Sequence, residues 1–211
     1  MATGAHKVTA EFEEALAAYT GAPFAVAVDN GSNALFLALM RDGVRGKEIF
    51  IPARTYPSVP CEILHAGGRV RFIPHPGPTL RGSYPLIGSR VWDSALRFTA
   101  GMYLPGTFMC LSFTGAYKHL KLGKGGAILT DDPEAAAWFK RARFSGRREC
   151  SYHEDRLDML GWNFYMAPDV AARGLLLMAG FYNLDGTPRE MPDLEIPYPD
   201  LSRFAVYGGG G

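Results

Sequence analysis

An α/β fold, three layers deep (α/β/α) around a mainly parallel sheet, is what the order of apolar segments in this chain predicts. Strand-length apolar runs alternate with stretches of helical period from residue 11 to residue 178. Such alternation is the signature of a sheet covered by helices on both faces. The 211 residues, 47% hydrophobic and 20% charged, are enough for a core of that kind in one domain.

Residues 11–19 set Phe12, Leu16 and Tyr19 at helical spacing, with Thr9 as a possible cap. Residues 24–28 read as a short buried strand, and the turn Asp29-Asn30-Gly31-Ser32-Asn33 leads from it into a Leu- and Ala-rich helix at 34–40. A second strand at 48–51 is closed by Pro52. A helix at 58–66 follows Pro57, and a third strand occupies 70–73. Residues 74–88 are dense in proline and glycine and read as a loop. Three further strand-length segments lie at 90–92, 108–112 and 127–129. Helices follow at 132–144, capped by Asp132 with Pro133 in the first position, and at 167–178, opening at Pro168. From Gly186 onward the chain is Pro-rich and closes on Gly208 to Gly211, so the expectation there is surface coil.

Composition narrows the function. The 22 Lys and Arg against 21 Asp and Glu leave a net charge of +1, too little for a global field that would hold nucleic acid or an anionic membrane. The basic cluster Arg141, Arg143, Arg147 and Arg148 is offset by Glu149, Glu154 and Asp155 and reads as a solvated face. No apolar run approaches the ~20 residues of a membrane helix. Residues 1–14 carry Glu11, Glu13 and Glu14 and do not form a secretory signal. Three cysteines without C-x-x-C spacing argue against a disulfide framework or a metal site, and the expected compartment is the cytoplasm.

In an α/β sheet ligands bind beyond the carboxyl ends of the strands, so the residues after each strand matter most. Gly31, Ser32 and Asn33 open a helix: the turn is either a plain cap or a phosphate cradle of backbone N–H groups and a hydroxyl. Tyr56 is either an edge-packing ring or a stacking surface for a planar ligand. Asp93, behind the fourth strand, is a structural acceptor or an anion aimed into the crevice. Beyond Ser112 lies Lys118, in a basic stretch with His119, Lys121 and Lys124. Burial or neighbouring positive charge there would lower an amine's pKa and make it a nucleophile toward carbonyls, while the alternative is a solvated basic loop.

These segments together resemble the DegT/StrS-type sugar aminotransferases, pyridoxal-phosphate enzymes of the aspartate-aminotransferase fold that move an amino group from glutamate to a nucleotide-linked keto sugar. The likeness runs through 11–73 with its Gly31-Ser32-Asn33-Ala34-Leu35 turn and 91–95 with Asp93-Ser94-Ala95. It continues through 106–130 with Ser112-Phe113, Lys118 and Gly123-Lys124-Gly125-Gly126, and 160–178 with Gly161-Trp162-Asn163-Phe164-Tyr165-Met166. The lysine with Gly-x-Gly-Gly starting five positions later is the most specific part.

The resemblance implies pyridoxal 5'-phosphate as cofactor, a Schiff base on Lys118, and Asp93 paired with the pyridine nitrogen. It implies Gly31, Ser32, Asn33 and Ser112 around the phosphate, Tyr56 against the ring, and Asn163 reaching the phosphate of a neighbouring subunit in a homodimer. Residues 1–185 would form a large domain, shortened around 74–90, with a Pro/Gly-rich tail at 186–211 and the small C-terminal domain largely missing. The chain departs from the family pattern in its short 73–91 stretch, in Leu96 three positions after Asp93, in an extra residue between Ser112 and Lys118, and in Tyr165 where the family has arginine. Two functions compete: an aminotransferase, favoured by Lys118 with Asp93, and an inactive remnant of the fold serving as a binding or assembly protein. Sugar dehydration, which relatives perform with histidine at the lysine position, is not expected with Lys118 there.

Overall fold

The structure, a computed structural model, describes residues 5–207. The closing glycines at 208–211, expected as the end of the tail, lie outside the described residues. Eight strands and five α-helices follow one another as α1 (Ala5–Thr20), β1 (Phe24–Val28), α2 (Gly31–Asp42), β2 (Glu48–Pro52), α3 (Ser58–His65), β3 (Arg69–Ile73), β4 (Thr79–Pro85), β5 (Val91–Leu96), β6 (Phe108–Ser112), β7 (Gly126–Thr130), α4 (Pro133–Ala142), α5 (Pro168–Met178) and β8 (Glu195–Pro197). Six strands form one sheet in the order β1-β7-β6-β5-β4-β8, and β2 and β3 form a parallel pair beside it. The bridge between Phe50 of β2 and Ile87, just past β4, joins the two.

The predicted three layers are present because the central strands are apolar on both faces. Val26 and Val28 of β1, Phe108 and Cys110 of β6 and Ile128 of β7 pack under α2 and α4, and α3 packs beside α2 over β3. Their sequence neighbours, Ala25 and Ala27, Met109 and Leu111, Ala127 and Leu129, face the other way, against α1 and α5 through Phe12, Leu16 and Met178. Period-two burial on both sides leaves no wet face. Asp132 caps α4 as expected, accepting from the Ala135 N–H at 2.9 Å ahead of Pro133.

Several expectations are corrected. The sheet is mixed rather than mainly parallel: β1 and β6 both pair antiparallel with β7, β4 pairs antiparallel with β5 and β8, and only β5–β6 is a parallel contact in it. Chain length between strands explains this. Residues 86–90 link β4 to β5 in far fewer than the dozen or so residues a parallel crossover takes. Residues 74–88 are not a loop throughout, since they contain β4, whose Leu80, Gly82 and Tyr84 point inward while Arg81 points out. The tail is not all coil: β8 adds to β4, and Leu201 is buried. Thr9 lies inside α1 and caps nothing. Finally, β5 runs on through Asp93 instead of stopping before it.

Candidate active site

A cavity of about 620 Å³ opens where β1, β5 and β6 deliver their ends to the start of α2, a size common for small-molecule sites. Its wall includes Gly31, Ser32 and Asn33, Tyr56, Asp93, Ser112 and Lys118, so seven of the eight residues singled out in the sequence converge on it. Asn163 does not. It is exposed and bridged to Phe144, outside the cavity wall.

The cap reading of the first turn is borne out, and its N–H groups face the cavity wall. Asn30 caps α2, its Oδ1 accepting from the Asn33 N–H at 2.8 Å, while the Asn33 side chain donates to Asp29 at 2.7 Å. Asn33 therefore fixes the turn's shape, and Gly31 and Ser32 carry N–H groups at the positive end of the helix, where intrahelical acceptors are lacking. Two close approaches make the cradle. A Cβ on Gly31 would lie 2.7 Å from Cβ of Ser112, and one on Gly126 would lie 2.6 Å from the Asn30 carbonyl carbon. The end of the Gly-x-Gly-Gly run is thus explained: β7 must pass against the turn with no side chain between them.

Lys118 sits in the loop between β6 and β7, and its inward turn is set by its neighbours. Leu120 and Leu122 are buried, and Leu122 N–H donates to Phe113 O at 3.2 Å, pinning the loop to the sheet. Lys121 and Lys124 point to solvent, and His119 contacts Pro192 O through Nε2. Lys118 itself is 4% exposed, donates from Nζ to Ala95 O, and lies 4.9 Å from the Tyr117 ring centroid. Burial pulls its pKa from 10.5 to about 8, against the opposing pull of Asp93. Burial alone is responsible; the neighbouring positive charges anticipated in the sequence take no part.

Asp93 is 5% exposed and stands opposite Cys110 in β6. Its Oδ1 accepts from Ala95 N–H at 2.9 Å and its Oδ2 from the Tyr84 hydroxyl at 2.8 Å. Burial raises its pKa, while those two bonds and Lys118 hold it down. Both alternatives for this residue therefore coexist, a carboxylate fixed by local N–H and O–H donors and aimed into the crevice. Among the described residues, Asp93 and Lys118 are the only charged side chains in the wall, and no guanidinium lines it. Tyr165, at the position of the family's arginine, faces a smaller cavity of about 240 Å³ with Arg143 and Glu149.

Tyr56 is half exposed at the mouth, with its ring edge-on to Tyr198 at 6.3 Å. Thr55, Tyr84 and Tyr198 were missed in the sequence. Tyr84 and Tyr198 lie in Pro-rich segments that read as loop and tail, and only strand pairing brings them to the cavity. The arginine cluster is likewise not one solvated face. Arg143 is buried against Glu13 and Glu149, while Arg141, Arg147 and Arg148 pair with Asp155 and Asp158. Among the described residues, no helix is long and apolar enough to cross a membrane, and no group of His, Cys, Asp and Glu is arranged to hold a metal ion.

Solved structures share this architecture. AtS13 from Actinomadura melliaura is 23% identical with a TM-score of 0.70, over 82% of this chain and 59% of that one. The sugar aminotransferase CalS13 from Micromonospora echinospora is 21% identical with a TM-score of 0.67, over 82% and 60%. Spr1654 from Streptococcus pneumoniae, solved in a PLP form, is 19% identical with a TM-score of 0.65, over 85% and 60%. The chain thus spans less than two thirds of the length of these proteins, and at such identities the likeness is one of fold. No curated protein matches it in sequence. A family model, in contrast, matches residues 2–81 and 103–189, taking in the α2 turn and Lys118 and leaving out the stretch with Tyr84 and Asp93. That match covers most of the chain, which therefore belongs to the DegT/DnrJ/EryC1/StrS aminotransferase family.

Proposed function

We propose that this chain is a pyridoxal-phosphate-dependent aminotransferase, passing an amino group from an amino acid donor, glutamate, to a nucleotide-linked keto sugar. One observation carries the reading: a buried amine and a buried carboxylate, the only charges in the cavity wall among the described residues, share it with a helix N-terminus stripped of side chain at Gly31. Those three features match the three ends of pyridoxal phosphate. The turn at Gly31 and Ser32, with Gly31 packed on Ser112 too closely for a side chain, offers N–H groups to an anion, Asp93 suits a ring nitrogen, and Lys118 suits an aldehyde.

When bound, the cofactor supplies a carbonyl for amines and a ring that holds the electron pair left when a substrate carbon loses its proton. The chain supplies the rest. Gly31 and Ser32 N–H groups, with the Ser32 and Ser112 hydroxyls, bind and orient the phosphate. Asp93 keeps the ring nitrogen's proton in place, and Tyr56 covers the ring face. Lys118, neutral above about pH 8, takes the proton from the substrate carbon at Nζ and returns it to the neighbouring one. Asn163, outside the cavity, serves the phosphate of a second copy in a homodimer. Free thiols at Cys61, Cys110 and Cys150 suit a reducing cytoplasm.

The test is to supply glutamate, pyridoxal phosphate and a panel of nucleotide-linked keto sugars. Release of 2-oxoglutarate that Lys118→Ala abolishes supports the reading, and no release with any acceptor contradicts it. A second reading, cofactor binding without turnover, is favoured by the lack of a guanidinium in the wall to hold a donor's carboxylate.

A further inference from the structure

We propose that Tyr84 is a positioning residue for Asp93: its buried phenol, held by Thr55, donates to the carboxylate and keeps it ionised and turned into the cavity. The proposal rests on the reading above only for what Asp93 faces there. The pairing is set by the sheet. In the antiparallel β4–β5 ladder Tyr84 and Asp93 are direct cross-strand partners, and the register shifts between Tyr84 and Gly82, which faces Leu96. That irregularity leaves Ala95 without a ladder partner. Its N–H turns to Asp93 Oδ1 and its carbonyl takes the Lys118 ammonium. The hairpin that misses the parallel arrangement therefore shapes the region around both charges.

The direction of the hydrogen bonds follows from valence. An ionised carboxylate only accepts, so the single proton of Tyr84 goes to Asp93 Oδ2 at 2.8 Å. Thr55, fully buried and 2.5 Å from the phenol oxygen, is then the donor to Tyr84. The relay Thr55 to Tyr84 to Asp93 puts all donors on one side and ends on the carboxylate. Other groups facing Asp93 are Lys118 from the β6–β7 loop, Cys110 from β6, Tyr117 and Tyr198. Lys118 alone among them is a cation. A carboxylate in such a dry setting needs charge-assisted donors to stay ionised, and Tyr84 is the one that comes from a side chain with no other task in the cavity.

Ligand-free protein carrying ¹³C-labelled aspartate, with the Asp93 signal identified by its loss in Asp93→Asn, tests this by carboxyl titration. Tyr84→Phe is expected to raise the Asp93 midpoint by about one pH unit or more. 3-Fluorotyrosine at position 84 keeps ring and hydroxyl, makes the donor more acidic, and is expected to lower the midpoint. Opposite shifts support the positioning role. An unmoved midpoint in a folded Tyr84→Phe overturns it, as does an unmoved midpoint with fluorotyrosine should the phenylalanine variant fail to fold. Since these titrations need no cofactor, an inactive protein leaves them intact. Conversely, glutamate turnover with an unmoved Asp93 contradicts the role of Tyr84 alone.

Discussion

An ammonium in poor solvent sheds its proton more readily, and Lys118 has traded nearly all of its water for Ala95 O and the Tyr117 ring. With its pKa at about 8, roughly one amine in ten is neutral at pH 7, against about one in several thousand for an exposed lysine. Asp93 opposes this, and the two charges hold each other in a compromise: burial disfavours both charged forms, and their attraction favours both. Raising the pH through 8 therefore increases the nucleophilic fraction of Lys118 well before an amine of ordinary pKa would respond. Selective attack on a carbonyl is expected to be half-maximal near pH 8, well below the range in which surface amines respond.

The start of α2 depends on close packing more than on any one hydrogen bond. Gly31→Ala would place a methyl against Ser112, so either the helix start or the end of β6 must move, and the N–H groups lose their aim. Affinity for pyridoxal phosphate is expected to fall at least about tenfold with melting temperature nearly unchanged, by equilibrium titration of the visible absorption. Unaltered affinity would remove the turn from the phosphate site. Local patterns of this kind were readable before the fold was known: the cap, the turn, and the lysine with its glycines all rely on neighbours in sequence. Pairing was not. Whether β7 runs against β1 and β6 is decided by contacts distant in the chain, and β4 was hidden because Pro74, Pro76, Pro78 and Pro85 crowd the segment from which Leu80, Gly82 and Tyr84 turn inward. Tyr198 escaped for the same reason, since only the β8–β4 pairing brings it to the cavity mouth.

For the whole molecule, what lies outside the cavity matters as much as what lines it. Asn163 is exposed, and the proposed homodimer would give it a place beside a partner's phosphate. A dimeric mass in solution, with Asn163→Ala weakening cofactor retention while the dimer persists, is expected by light scattering and absorption titration. A monomer at working concentration would sink that part of the account. The strap from β8 to Leu201 ties into the same region: Arg54 donates to Tyr198 O at 2.8 Å and Leu201 N–H to Ala53 O at 2.7 Å, so the mouth is closed partly by distant sequence. The central claim, however, is that the buried amine meets the cofactor. Its most direct measurement is borohydride reduction of the protein incubated with pyridoxal phosphate at pH 8, followed by peptide mapping beside Lys118→Ala. The account predicts one reduced adduct, on Lys118, absent from the variant. No adduct, or label spread over surface lysines in both proteins, would contradict it.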